Sequence, residues 1–172
     1  MASVSDWKVP NSAQPKPDDY SYDLDLALAS IVALRATVPA DAFTAETLGT
    51  ERAGNGVIIR SNGLILTIGY LVTEADTIWL TLNDGRSVPG HLLGYDQETG
   101  FGLIQALAKL DMPALEIGRS ASASLGERVV VGGGISPYSL RGAAGRKPYP
   151  MDRQGSGQWS KPRGMEGGGG GQ

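Results

Sequence analysis

The chain has no cysteine among its 172 residues, which removes disulfide staples, thiolate metal sites and a thiol nucleophile at one stroke. It has a single histidine, His91. An acid–base or metal role would need partners for that one imidazole. None stands at a ligand-like spacing, so His91 reads as a solvent-facing strand residue and no metal or cofactor is expected. Long apolar runs are also missing. No segment reaches the ~18 residues of a membrane span, and the opening MASVSDWKVPNSAQPKPDDY lacks a basic stretch followed by an apolar one. The expectation is a chain without membrane contact, and a cytoplasmic one.

Apolar residues make up 41% of the composition and 25 glycines and 10 prolines are present, but they are unevenly placed. Residues 1–134 carry nine Lys/Arg against sixteen Asp/Glu, while 135–172 carry six against two. The formal net charge of -3 therefore conceals an acidic body and a basic C-terminal segment. That segment holds ten of the glycines, and its aliphatic residues are Ile135 and Leu140 beside two methionines. It cannot bury enough surface to offset ordering entropy and is expected to be disordered. Its arginines and lysines, interspersed with Tyr149 and Trp159, faintly suggest a nucleic-acid-binding tail. Without true repeats a solvated charged segment is the better reading, and nucleic acid is not an expected partner.

Between these ends the pattern is that of short strands. Residues 1–19, broken by Pro10, Pro15 and Pro17, read as an extended leader. Asp18 and Asp19, followed by Tyr22, Leu26 and Ala29 at helical spacing, predict a short helix. IVALRATV is rich in β-branched residues and stops at Pro39, and a long loop follows. GNGVIIR and LILTIGYL flank Ser61-Asn62-Gly63, a strong hairpin signal. TIWLTL turns at Asn83-Asp84-Gly85 and returns through RSVPGHLLGYD. FGLIQALAKL reads as a strand, and ERVVVGGG as a last one. About six strands before residue 110 and one near 130 predict an all-β chain built on a small closed antiparallel barrel. The organisation expected is a leader over 1–19, a barrel with the first strand of an incomplete second barrel over 20–134, and a tail over 135–172.

The glycine clusters Gly54-Asn55-Gly56 and Gly132-Gly133-Gly134 lack a following helix whose amides could hold phosphate, so bulges or strand ends explain them better. Asp96 and Glu98 in YDQETG could be paired carboxylates. Acids flanking a turn are the simpler account.

Taken in order, GNGVII, LILTIGYLV, ADTIWLTLNDGR, DQETGFGLI and MPALEIG resemble the first half of a trypsin-like serine protease of the HtrA/Deg type, from about Ile31 to Gly133. The resemblance implies a two-barrel chymotrypsin-like fold of which the first six-stranded barrel is present. It also implies a catalytic histidine and aspartate on that barrel, the histidine as general base toward serine and the aspartate fixing its tautomer. Thr67 matches the family threonine, and Tyr70 falls where the histidine stands. Thr99 matches a second threonine, and Gly100 falls on the aspartate. A tyrosine with its proton held up to a pKa near ~10 is a poor general base at neutral pH, and glycine can neither orient an imidazole nor stabilise its charge. The serine normally lies in a second barrel, where this chain offers only Gly155-Ser156-Gly157.

The expected function is that of a catalytically inactive protease homologue that binds a peptide or protein. The alternatives are a serine endopeptidase with an unorthodox site drawn from Tyr70, His91 and Ser156, or a truncated or frameshifted product. An unfinished second barrel would also leave the strand near 130 without partners, an edge that invites self-association.

Overall fold

The computed structural model describes residues 14–133 and the backbone of Arg141–Arg146. Six strands, β1 (Ile31–Thr37), β2 (Glu51–Arg60), β3 (Leu64–Ile68), β4 (Thr77–Thr81), β5 (Ser87–Tyr95) and β6 (Phe101–Ala106), close into an antiparallel barrel in the order β1-β2-β3-β6-β5-β4. Closure leaves the barrel no free edge.

The inside of the barrel follows from the two-residue alternation of each strand. Val32, Leu34 and Ala36 of β1, Ile65 and Thr67 of β3, Ile78 and Leu80 of β4, and Ile104 and Ala106 of β6 are buried. Ladder registers align these residues into rows. Ile58 faces Ile65, Ile65 faces Ile104 and Ile104 faces Leu92, while Leu34 faces Leu80 and Leu80 faces Val88. Such rows fill a six-stranded barrel with side chains and make it a core, not a channel.

The hairpin signals hold. The β2–β3 turn closes with the Gly63 amide donating to the Arg60 carbonyl at 3.0 Å, and the β4–β5 turn with Gly85 donating to Leu82 at 3.0 Å. β2 begins at Glu51, three residues before the GNGVIIR stretch that reads as a strand. β1 supplies the reason: its ladder runs to Thr37 opposite Glu51, so polar and glycine residues are drawn into the sheet by a waiting partner.

Helical structure is sparse. α1 (Leu24–Ala29) is capped by Asp23, whose carboxylate accepts from the Leu26 amide at 2.9 Å, and it buries Leu24. Of the residues at helical spacing, Leu26 is half exposed on α1, and Tyr22, also half exposed, lies before it. A second, four-residue helix α2 (Ala45–Leu48) interrupts the stretch expected to be loop. The leader ends in a short 3-10 turn at Pro17–Asp19, and its first thirteen residues lie outside those described.

β7 (Arg128–Gly133) pairs antiparallel with β8 (Arg141–Arg146) in a separate two-stranded sheet. The expectation of disorder over 135–172 is therefore corrected for six residues, and β7 is not left without a partner. A strand ladder asks only for backbone donors and acceptors, so a small-residue segment such as RGAAGR can join it although it has no core to form. The rest of that span lies outside the described residues. β7 meets the body of the chain through Arg128, which bonds Asp19 at 2.8 Å and lies over the Tyr20 ring at 5.4 Å. No helix among the described residues is long and apolar enough to cross a membrane.

Candidate functional site

The strand LILTI ends at Ile68, and the chain turns at once into a 3-10 turn over Gly69–Leu71. Gly69 donates its amide to the Gly100 carbonyl at 2.7 Å. This one bond places the turn carrying Tyr70 directly against the loop carrying Gly100, which is how positions thirty residues apart become neighbours. The register continues it, with Ile68 opposite Phe101.

Below the turn the packing is tight. Leu71 and Val72 point into the core, and a Cβ on Gly54 of β2 would stand 2.4 Å from Leu71 Cδ1. A side chain at 54 would force the Leu71 side chain to shift. Tyr70 points the other way and is 51% exposed. Its position is therefore set by the residues on either side of it, while its ring stays available to solvent.

Gly100 sits at φ 75°, in the left-handed region that favours glycine. Its loop is built by Asp96. That carboxylate accepts from the Thr99 hydroxyl at 2.6 Å, from the Glu98 amide at 3.2 Å and from the Thr99 amide at 3.3 Å, and the Gly100 amide donates to the Asp96 carbonyl at 2.9 Å. Asp96 thus organises a turn and is not half of a carboxylate pair. The Thr99 hydroxyl first, then the Glu98 and Thr99 amides, hold its carboxyl below the usual aspartate range. A carboxyl-carbon NMR titration of the full chain should give Asp96 a midpoint below the ~3.9 of a free aspartate. Because the folded value is the lower one, the turn's stabilisation is present above the ordinary range and is lost as pH falls through the folded midpoint. A midpoint at or above the free value would contradict the turn geometry.

Sequence reasoning missed the polar cluster beneath Tyr70. Arg52, on β2, is 4% exposed. Its guanidinium donates to the carbonyls of Tyr70 at 2.7 Å, Thr73 at 2.9 Å and Gly49 at 3.2 Å, and to the Thr44 hydroxyl oxygen at 2.7 Å. Glu74 accepts in turn from the Thr44 hydroxyl at 2.5 Å, the Thr44 amide at 2.8 Å and the Phe43 amide at 3.1 Å. Those bonds, the Thr44 hydroxyl's foremost, hold the Glu74 carboxyl below its ordinary range. An arginine between Glu51 and Ala53 carried no signal of this in the sequence.

The other candidates do not join the site. His91 is exposed on β5 and pairs with Gln105. Gln105 is four residues along β6 from Phe101, about 13 Å at the usual strand rise. Tyr70 and His91 are therefore not brought together, and Ser156 lies outside the described residues. Gly54 and Gly56 lie inside β2, where a Cβ on Gly56 would stand 2.6 Å from Ile65 Cγ2, so close packing explains that cluster better than a bulge. No group of three or more His, Asp or Glu that could hold a metal ion occurs among the described residues.

Residues 54–156 match the profile of a family described as the trypsin-like peptidase domain. A probable periplasmic serine endoprotease DegP-like of Hahella chejuensis is 34% identical over 90 residues, covering 52% of this chain and 19% of that protein. Serine protease HTRA1 of Xenopus laevis is 35% identical over 89 residues, with 52% and 19% covered. Among solved structures, the HtrA-type protease AlgW with tripeptide superposes with a TM-score of 0.65 at 22% identity, covering 80% of this chain and 42% of that one. The chain thus spans about a fifth of the length of these curated relatives.

Proposed function

The chain belongs to the trypsin-like peptidase family, and we propose that within it this barrel is catalytically silent and serves as a peptide- or protein-binding module. The observation that carries the reading is the pair Tyr70 and Gly100. They stand where the family motif has its histidine and aspartate, and the Gly69–Gly100 hydrogen bond holds them side by side.

Both losses are chemical. A phenol does not take a proton from a serine hydroxyl at neutral pH, and a residue without a side chain gives a neighbouring base neither orientation nor charge. Nor would returning the carboxylate be a matter of one side chain. At φ 75° an aspartate at 100 would occupy backbone space that non-glycine residues enter at a cost. The loop has settled into a conformation that suits glycine.

A binding role is supported by what surrounds the pair. Ile68, Tyr70, Tyr95 and Phe101 are each 43–52% exposed around the same end of the barrel. Apolar and aromatic side chains grouped in this way suit a peptide, and the AlgW structure holds a tripeptide. The expected cytoplasmic placement and the periplasmic naming of DegP-like relatives point to different compartments. Fractionation of cells making the chain decides between them.

A fluorophosphonate probe incubated with the full chain should give no covalent adduct by mass spectrometry. An adduct would sink the silent reading. For the binding role, a fluorescence-polarisation screen of extended apolar peptides should find binders whose affinity drops about tenfold or more on Tyr70→Ala. An unchanged affinity would move the surface elsewhere.

A further inference from the structure

Segment 39–49, which contains α2, and the turn 69–74 lie against each other, yet among the described residues no backbone–backbone hydrogen bond joins them. Side chains do that work. One buried guanidinium reaches the Tyr70 and Thr73 carbonyls on one side and the Thr44 hydroxyl and Gly49 carbonyl on the other. Thr44 passes the connection on, accepting from Arg52 and donating to Glu74, whose carboxylate also takes the amides of Phe43 and Thr44. The chain of bonds therefore starts at the turn, crosses to the segment, and returns to the turn at Glu74.

Two further features set this circuit apart from ordinary loop packing. Glu74 has φ 58°, a left-handed conformation that costs a glutamate and persists only where its surroundings over-determine it. Phe43, whose amide Glu74 holds, is 92% exposed. A strained backbone and a buried cation thus both serve to fix a segment whose largest side chain touches almost nothing.

We propose that Arg52, Thr44 and Glu74 form a latch that locks segment 39–49 onto the turn carrying Tyr70, and so presents Phe43 and Tyr70 in a fixed relation before any ligand arrives. The second part of that statement rests on the binding-module reading; the latch itself does not. Its advantage would be preorganisation: an aromatic contact already ordered does not lose its conformational entropy on binding.

Amide hydrogen exchange on the full chain tests the latch without a ligand. In Glu74→Gly the backbone strain at φ 58° is relieved while the carboxylate is removed, so a merely conformational role and a latch predict opposite results. The latch predicts that the Phe43 and Thr44 amides exchange about tenfold faster or more, with the amides of β3 and β4 unchanged. In Glu74→Gln, which keeps an acceptor oxygen but no charge, exchange at 43 and 44 should fall between parent and glycine variant. Parent-like rates at 43 and 44 in the glycine variant would overturn the proposal. So would an equal acceleration across β3 and β4, which would make Glu74 a general stabiliser. Failure of the peptide screen would leave these rates untouched, and parent-like rates would leave the screen untouched, so the two readings fail separately.

Discussion

Ile65→Ala is expected to lower the unfolding free energy by about 2–5 kcal/mol, out of a total that for domains of this kind is ~5–15 kcal/mol. Ile65 is fully buried and stands in the middle of the row Ile58, Ile65, Ile104, Leu92 that crosses four strands. Its loss removes apolar contacts and leaves a hole. The upper part of the range applies when the surroundings cannot close that hole, and two features here prevent closure. The neighbouring β2 backbone already touches the side chain, since even a Cβ on Gly56 would stand 2.6 Å from Ile65 Cγ2. The strand is also held by ladders on both sides, to β2 and to β6. Urea unfolding of the full chain should show a lower midpoint at an unchanged slope. Ile117→Ala, at a residue 67% exposed, should stay within about 0.5 kcal/mol of the parent. A shift at Ile65 no larger than that control would mean the barrel interior is not the core of this chain.

The contrast between Ile65 and Ile117 also shows what could be read from sequence. Alternating apolar residues bounded by Asn-Gly and Asn-Asp-Gly turns are local signals, and β3, β4, β5 and β6 come out close to the positions they predict. Residues whose place depends on a distant partner were less visible. β2 starts early because β1 is there to receive Glu51 through Ala53, and β8 forms because β7 offers a ladder. Neither fact is written in the composition of ERAGNG or RGAAGR. For α1 the spacing shows a short helix but not which residue it buries, which is Leu24 and not Leu26.

The site divides in the same way. The motifs carrying Tyr70 and Gly100 were legible as a resemblance, because each is short and of fixed spacing. The backbone at Gly100 was not, because φ 75° is a property of the Asp96–Phe101 turn and not of any one residue. Arg52 was illegible for a plainer reason. Three of its acceptors are carbonyls, two of them at Tyr70 and Thr73, eighteen and twenty-one positions further along the chain, and carbonyls leave no mark in a sequence.

Arg52→Met is the second substitution expected to have a large effect, about 3 kcal/mol of lost stability. The sign needs argument, because removing a buried charge can stabilise a protein. Replacing a whole buried ion pair by apolar residues is often neutral or favourable, since the desolvation cost of both charges disappears. Arg52 is a different case. Among the described residues it makes no direct bond to a carboxylate; three of its four acceptors there are backbone carbonyls, which no substitution at 52 can remove. Methionine fills much of the space of the aliphatic stem and leaves the carbonyls of Gly49, Tyr70 and Thr73 without that donor. A fully buried acceptor left in that state costs about 1–3 kcal/mol, and because these three bonds are only partly buried, water entering beside the turn brings the sum well below the simple total. Arg52→Lys keeps the charge but replaces the planar fork with a point donor, so it can hold one side of the circuit and not both. It should lose roughly half as much. Equilibrium unfolding in urea measures both variants against the parent. A methionine variant as stable as the parent would show that the guanidinium's desolvation cancels its bonds, and Arg52 would then be held in place by the turn it was thought to hold.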